Sequence, residues 1–138
     1  MRKSITTLLT AAVVALPVAQ ATAAAKTTKR KVVTRKFTGT TVQADRYGPL
    51  QVTIVVRKTT VIRNGRASVT RKITSLGVPV YPDHTGRSQY ISQNALPILR
   101  SEALRAQSAR IDLVSGATYT SDAFAQSLQA AILKAKRA

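Results

Sequence analysis

The chain has 138 residues, which is room for one small domain, and its formal net charge is +17. It contains no cysteine, so disulfides, thiolate metal sites and cysteine nucleophiles are excluded. Any redox chemistry must therefore come from a bound cofactor, and the charge indicates either an anionic partner or a solvated basic surface.

Residues 1–25 are typical of a secretory signal peptide. Two basic residues precede a mostly apolar stretch over 5–18 that is too short to span a bilayer, and small residues follow it. An uncleaved membrane anchor is the alternative, which Pro17 and the short apolar run disfavour. We therefore expect export to the periplasm or the extracellular space and a soluble mature protein. Export also argues against nucleic acid as the physiological partner.

Residues 26–36 are rich in Lys, Arg, Thr and Val and carry six cations, which predicts a flexible basic arm between the signal and the domain. The arm either docks on an anionic envelope surface or is a plain linker. The folded domain is expected over 37–138.

The first half of this domain has the patterns of β-strands and tight turns. Apolar and polar residues alternate over 50–57, as in a half-buried strand, and Asn64-Gly65 is typical of a type I′ hairpin turn. Two prolines and two glycines over 77–87 predict a loop. The predicted strands cover 37–44, 50–57, 59–63 and 66–75.

Helical periodicity begins at Ser88, where apolar residues start to recur every four positions. Pro97 lies within this stretch and predicts either a kinked helix or two short helices. A short strand is expected over 108–114, and a last helix is expected with Thr120 or Ser121 as its N-cap. Strands followed by helices predict an α+β fold, with a small antiparallel sheet from the N-terminal half packed against helices from the C-terminal half.

Small and hydroxyl-bearing residues precede the last helix, in the run Asp112-Leu113-Val114-Ser115-Gly116-Ala117-Thr118-Tyr119-Thr120-Ser121. A helix N-terminus offers free backbone N–H groups and the positive end of the helix dipole, so it suits a phosphate. Gly116 and Ala117 leave Thr118 sterically open, Tyr119 can cover an aromatic ring, and Asp112 can order the loop.

This run resembles the signature of the FMN-binding domain family, which includes the flavin-carrying subunits of bacterial sodium-translocating NADH:quinone oxidoreductase and related electron-transport complexes. The resemblance lies in Asp-x-x-Ser-Gly-Ala-Thr followed by Tyr-Thr-Ser, and it extends over 37–133, where the chain is similar to a small secreted branch. Further matching segments are Tyr47-Gly48-Pro49-Leu50-Gln51-Val52 and Pro82-Asp83-His84-Thr85-Gly86-Arg87-Ser88. The stretch 58–66 departs from the family because it is longer and more basic than the usual hairpin.

The resemblance implies that FMN, donated from FAD by a separate flavin transferase, is joined to Thr118 by a phosphoester bond. It places the rest of the motif at the binding site: Asp112, Ser115, Gly116, Ala117, Tyr119, Thr120 and Ser121. It also implies a membrane-bound redox partner, which the charge of this chain predicts to be acidic. The expected role is a monomeric electron-transfer module rather than a stand-alone enzyme, with no catalytic residue and no metal site.

Three residues outside the motif are further candidates for flavin contact: Tyr47, Gly48 and His84. For His84 the alternative is an ordinary surface loop, and for Tyr47 it is core or surface packing. A cofactor-free cationic envelope protein that binds polyanions is the alternative to the whole interpretation, although it leaves the motif unexplained. A hydrolase using Ser115 or Thr118 with His84 is disfavoured because the Gly-x-Ser-x-Gly elbow is absent.

Overall fold

The computed structural model describes residues 27–138. The predicted signal peptide therefore lies outside the described residues. In chain order the elements are β1 (Thr28–Thr38), β2 (Val42–Gln43), a 3-10 helix (Asp45–Tyr47), β3 (Pro49–Arg63), β4 (Arg66–Val80), α1 (Gly86–Ala106) and α2 (Thr118–Arg137). Among these, no helix is long and apolar enough to cross a membrane.

The described chain divides into two compact units. The main unit consists of 31–60 and 69–138, and the small one consists of 27–30 and 61–68. The four strands form one sheet in which β3 pairs with β1, β2 and β4, and the antiparallel register of β2 on β3 places Val42 opposite Leu50. The antiparallel sheet from the N-terminal half and the two C-terminal helices confirm the predicted α+β fold.

The core lies in the main unit, between the sheet and the two helices. The predicted alternation along β3 is confirmed, because Leu50, Val52, Ile54 and Val56 are all buried. The predicted periodicity of α1 is confirmed too, since its residues at four-residue spacing are buried: Ile91, Ala95, Leu99 and Ala103. From α2, Phe124 and Leu128 are fully buried and complete the centre of the core.

Helix α1 is a single helix with Pro97 inside it, so of the two predicted alternatives the structure has one helix and not two short ones. Its start is held by a capping box, in which Thr85 Oγ1 accepts from the Ser88 N–H at 3.0 Å and Ser88 Oγ accepts from the Thr85 N–H at 2.9 Å. Its end is fixed by Gln107, whose side chain bonds the backbone N–H and carbonyl of Ile73 at 2.7 and 3.0 Å. Both ends are thus fastened, and burial of the apolar stripe keeps the helix continuous across the proline.

The predicted type I′ hairpin is confirmed in the small unit. Asn64 and Gly65 have φ angles of 52° and 77°, and both must be positive in this turn. The strands on either side run longer than expected, from 49 to 63 and from 66 to 80. The predicted loop over 77–87 is therefore wrong at both ends, since β4 continues to Val80 and α1 begins at Gly86.

Three further predictions of local structure are wrong. Most of the arm predicted over 26–36 belongs to β1, because pairing with β3 satisfies its backbone groups while its charged side chains stay in solvent. The strand predicted over 37–44 is interrupted after Thr38 and resumes only for the two residues of β2. The segment 108–114 is an irregular connection and not a strand.

Candidate functional site

The predicted motif forms a tight turn that leads directly into α2. The turn covers residues 114–117 and is closed by a hydrogen bond from the Ala117 N–H to the Val114 carbonyl at 3.0 Å. Gly116 occupies its third position with φ of +80°, as a type II turn requires. A Cβ on Gly116 would meet no atom within 4 Å, so the backbone conformation, and not crowding, requires glycine here.

Ser121 holds this turn against the helix. Its hydroxyl accepts a hydrogen bond from the Val114 N–H at 3.0 Å and donates one to the Ala117 carbonyl at 2.7 Å. The side chain is almost fully buried. Ser121 is therefore a clamp inside the first turns of α2, and the prediction that it or Thr120 is the N-cap is wrong. Asp112 is exposed, and the bond that orders the turn comes from Ser121.

The N-terminus of α2 carries no side-chain cap. The N-cap is Ala117, and the first bond of the helix runs from the Ser121 N–H to the Ala117 carbonyl at 2.9 Å. The three preceding N–H groups, from Thr118 to Thr120, have no carbonyl within the helix to which they can donate. The first turn contains no acidic residue and Asp122 lies beyond it, so no carboxylate of the helix itself offsets the positive end of its dipole.

Thr118 is exposed and is the first residue of the helix. The hydroxyl is therefore carried by one of the three residues whose backbone N–H groups are uncapped. Ser115 and Gly116, which precede it in the turn, are exposed as well, so Thr118 is accessible from outside the domain. An exposed hydroxyl beside free N–H donors suits esterification to an anionic group.

Two residues of the N-terminal half lie next to the motif. The rings of Tyr47 and Tyr119 have centroids 6.1 Å apart and planes tilted by 39°, which is a favourable aromatic geometry. Tyr119 is 52% exposed, so one side of the pair remains open to a further ring. The Arg46 guanidinium lies 5.8 Å from the Tyr47 ring centroid.

Gly48 and His84 also lie together. Gly48 has φ of +122°, and a Cβ on it would come within 3.1 Å of His84 Nδ1. Because Gly48 directly follows Tyr47, the exposed His84 lies close to the end of the 3-10 helix. Helix α2 packs against that 3-10 helix and against β2.

Sequence reasoning missed two features of this site. Arg46 was not a candidate, although its position next to Tyr47 in the chain was the available signal. Thr120 was named as a motif residue and as an N-cap candidate, yet its Oγ1 is the one buried side-chain polar atom of the described residues that lacks a hydrogen-bond partner.

The motif lies on an open surface. A cavity of about 210 Å³ in the main unit is lined by residues of β1, β3, β4 and the end of α2, and by none from the motif. A group bound at Thr118 is thus held from one side rather than enclosed.

Residues 45–133 match the model of a family described as FMN-binding domain. The match begins at the 3-10 helix, includes α1, the whole motif and most of α2, and covers more than half of the chain. No curated protein sequence matches this chain significantly.

The residues present fit FMN. Its phosphate is an anion that the uncapped N–H groups of α2 can stabilise. Its isoalloxazine ring is a flat aromatic group that the exposed face of Tyr119 can stack against.

Proposed function

The chain belongs to the FMN-binding domain family and FMN is its cofactor; on this premise, we propose that FMN is joined covalently to Thr118 and that the protein is an exported electron-transfer module. When bound, FMN supplies reversible transfer of one or two electrons. The observation that carries the proposal is the exposed Thr118 at the first position of a helix whose N–H groups are uncapped.

A covalent link is supported by the openness of the site. Dissociable cofactors of this size are normally held in pockets that bury most of their surface, whereas the motif here offers contacts from one side. A phosphoester to Thr118 would hold the cofactor without an enclosing pocket. In forming it, the Thr118 hydroxyl oxygen replaces AMP at the FMN phosphate of FAD and loses its proton. A separate flavin transferase with magnesium would provide the activating base.

An electron carrier suits this surface better than a stand-alone enzyme. A carrier must bring its cofactor close to a donor and an acceptor in turn, and Thr118 and Tyr119 are both exposed. We propose a membrane-bound, acidic redox partner, because the positive charge of the chain would speed association with it. The protein would act as a monomer, and the cations of β1 would face an anionic envelope surface.

The test is the intact mass of the mature protein produced together with a flavin transferase. We expect a gain of one FMN less one water in the wild type, no gain in Thr118→Ala, and restored gain in Thr118→Ser, which keeps a hydroxyl. A yellow wild-type protein of unmodified mass would refute the covalent link but keep the flavoprotein. Thr118→Ala protein that still gains the mass would place the link on another hydroxyl.

Membership of the FMN-binding domain family argues against the cofactor-free polyanion-binding alternative. A colourless, unmodified wild-type protein from the same co-production would revive it. Export is proposed from the signal-like residues 1–25 alone, and sequencing the N-terminus of the protein recovered from outside the cytoplasm tests it.

A further inference from the structure

A concave surface lies at the C-terminal end of α2, away from the motif. Two adjoining hollows of about 210 and 120 Å³ share Val56, Arg71 and Ala135 among their lining residues. Together they form a trough, which we call the basic trough, between the sheet and the last turn of the helix. All of its lining residues belong to the main unit.

The floor of the basic trough is apolar. Val56 and Ala135 are buried at its base, and Val33 and Phe37 of β1 are half-buried beside them. The second hollow continues the apolar surface with Ile54 and other aliphatic side chains. Such a surface favours alkyl groups over water.

The charged side chains on the rim of the basic trough are all positive, and one of them, Lys58, donates a hydrogen bond to the Ala138 oxygen at 3.0 Å. The rim cations come from three strands and from the end of α2: Lys31, Arg35, Lys58, Arg71, Lys72 and Lys136. No acidic residue lines either hollow, and the one ion pair found among the described residues joins Asp45 to Arg46 outside the trough. The strands themselves hold five cations on β1 and three each on β3 and β4, and no acid.

Cations grouped around an apolar surface without acidic side chains repel one another, and a bound anion relieves that repulsion. We propose that the basic trough binds an anionic lipid, with the acyl chain on the apolar floor and the phosphate or carboxylate headgroup among the rim cations. A linear polyanion would pair with the rim cations but would leave the apolar side chains of the floor in contact with water. The pairing of an apolar floor with a cationic rim therefore favours an anionic amphiphile.

The basic trough lies far from Thr118 along α2. Ala135 lies 17 residues after Thr118 on the same helix, which separates the two by about 25 Å along its axis. A lipid held at the trough therefore leaves the motif free to meet another protein. This binding does not depend on the flavin, and it should persist in Thr118→Ala protein.

The experiment measures binding of the mature protein to phosphatidylglycerol vesicles and to phosphatidylcholine vesicles at physiological salt. The trough variant is Arg35→Gln/Arg71→Gln, and the matched control is Arg100→Gln/Arg105→Gln, which removes the same charge from exposed positions of α1. Each cation close to a membrane strengthens binding roughly fivefold, so we expect a loss of about 25-fold in the trough variant and of less than about threefold in the control.

A third variant, Val33→Ser, tests the floor without changing charge. We expect it to weaken binding to phosphatidylglycerol about fivefold and to leave binding of soluble polyphosphate unchanged. Thermal unfolding of each variant verifies that it is folded. Equal losses in the two double variants would overturn the proposal. So would polyphosphate binding as tight as vesicle binding with no effect of Val33→Ser, since that result would make the trough a polyanion site.

Discussion

Replacing Ser121 with Ala removes the hydroxyl that ties the motif turn to α2. The Val114 N–H then loses its acceptor, while the Ala117 carbonyl keeps the Ser121 N–H at 2.9 Å. One half-buried donor is thus left unpaired, which costs about 1–3 kcal/mol. The higher helix propensity of Ala returns about 0.5 kcal/mol, so the net loss is roughly 0.5–2.5 kcal/mol.

Most of this loss falls on the turn, because the clamp joins the turn to the helix and not the helix to the core. If the ordered turn is what a flavin transferase recognises, its population falls about fivefold for each 1 kcal/mol that is lost. We therefore expect Ser121→Ala to take up FMN about fivefold more slowly, measured by intact mass over time with transferase and FAD in excess. The final extent of loading should match the wild type.

Ser127→Ala is the matched control on the same helix. The Ser127 hydroxyl is buried, accepts from the Val52 N–H at 2.8 Å and donates to the Thr40 carbonyl at 2.7 Å, so its loss destabilises the core by a similar or larger amount. It does not touch the turn, and its loading rate should equal that of the wild type well below its Tm. Equal loading rates for Ser121→Ala and the wild type, or equal slowing by both substitutions, would refute the role of the clamp.

Two further predictions concern packing and charge. A Cβ on Gly39 would overlap the Ser127 carbonyl, so Gly39→Ala should lower the free energy of unfolding by more than about 2 kcal/mol. A Cβ on Gly77 meets no atom, so Gly77→Ala should change that free energy by less than about 0.5 kcal/mol. Denaturant unfolding measures both variants, and a near-neutral Gly39→Ala would contradict the packing. The reduction potential of the bound flavin should exceed that of free FMN at low salt and fall as salt rises, because positive charge stabilises the anionic reduced form of the flavin. Arg46→Gln should lower the potential more than Arg100→Gln does. A potential at or below that of free FMN at low salt would contradict the role of the charge.

Sequence patterns with short periods predicted their structures well. The alternation along β3, the positive φ angles of Asn64-Gly65 and the four-residue spacing in α1 each depend on neighbours within one turn or one strand. The motif was located for the same reason, since Gly116 and the small residues around it are adjacent in the chain.

Two of the wrong predictions share one cause, which is that local composition was overruled by a bonding partner elsewhere in the chain. The charged stretch before residue 37 reads as a flexible arm, yet β3 supplies the hydrogen bonds that make it a strand. The sequence predicted the hydroxyl of Ser121 as an N-cap. In the structure it accepts a hydrogen bond from the Val114 N–H of the turn, and the helix begins at Thr118, three residues before Ser121. Local propensity is a weak guide where pairing or a side-chain bond offers the backbone another solution.

The sequence alone determined the α+β class, which follows from the order of strands and helices along the chain. It also determined the buried face of β3, the turn at Asn64-Gly65 and the identity of the motif, because each of these is encoded within a few consecutive residues. Only the tertiary structure decided that Tyr47 lies against Tyr119 and that His84 lies against Gly48. It also decided that strand cations meet the end of α2 in one trough. Such pairs are tens of residues apart in the chain, and the burial of Leu50 to Val56 against the two helices brings them together.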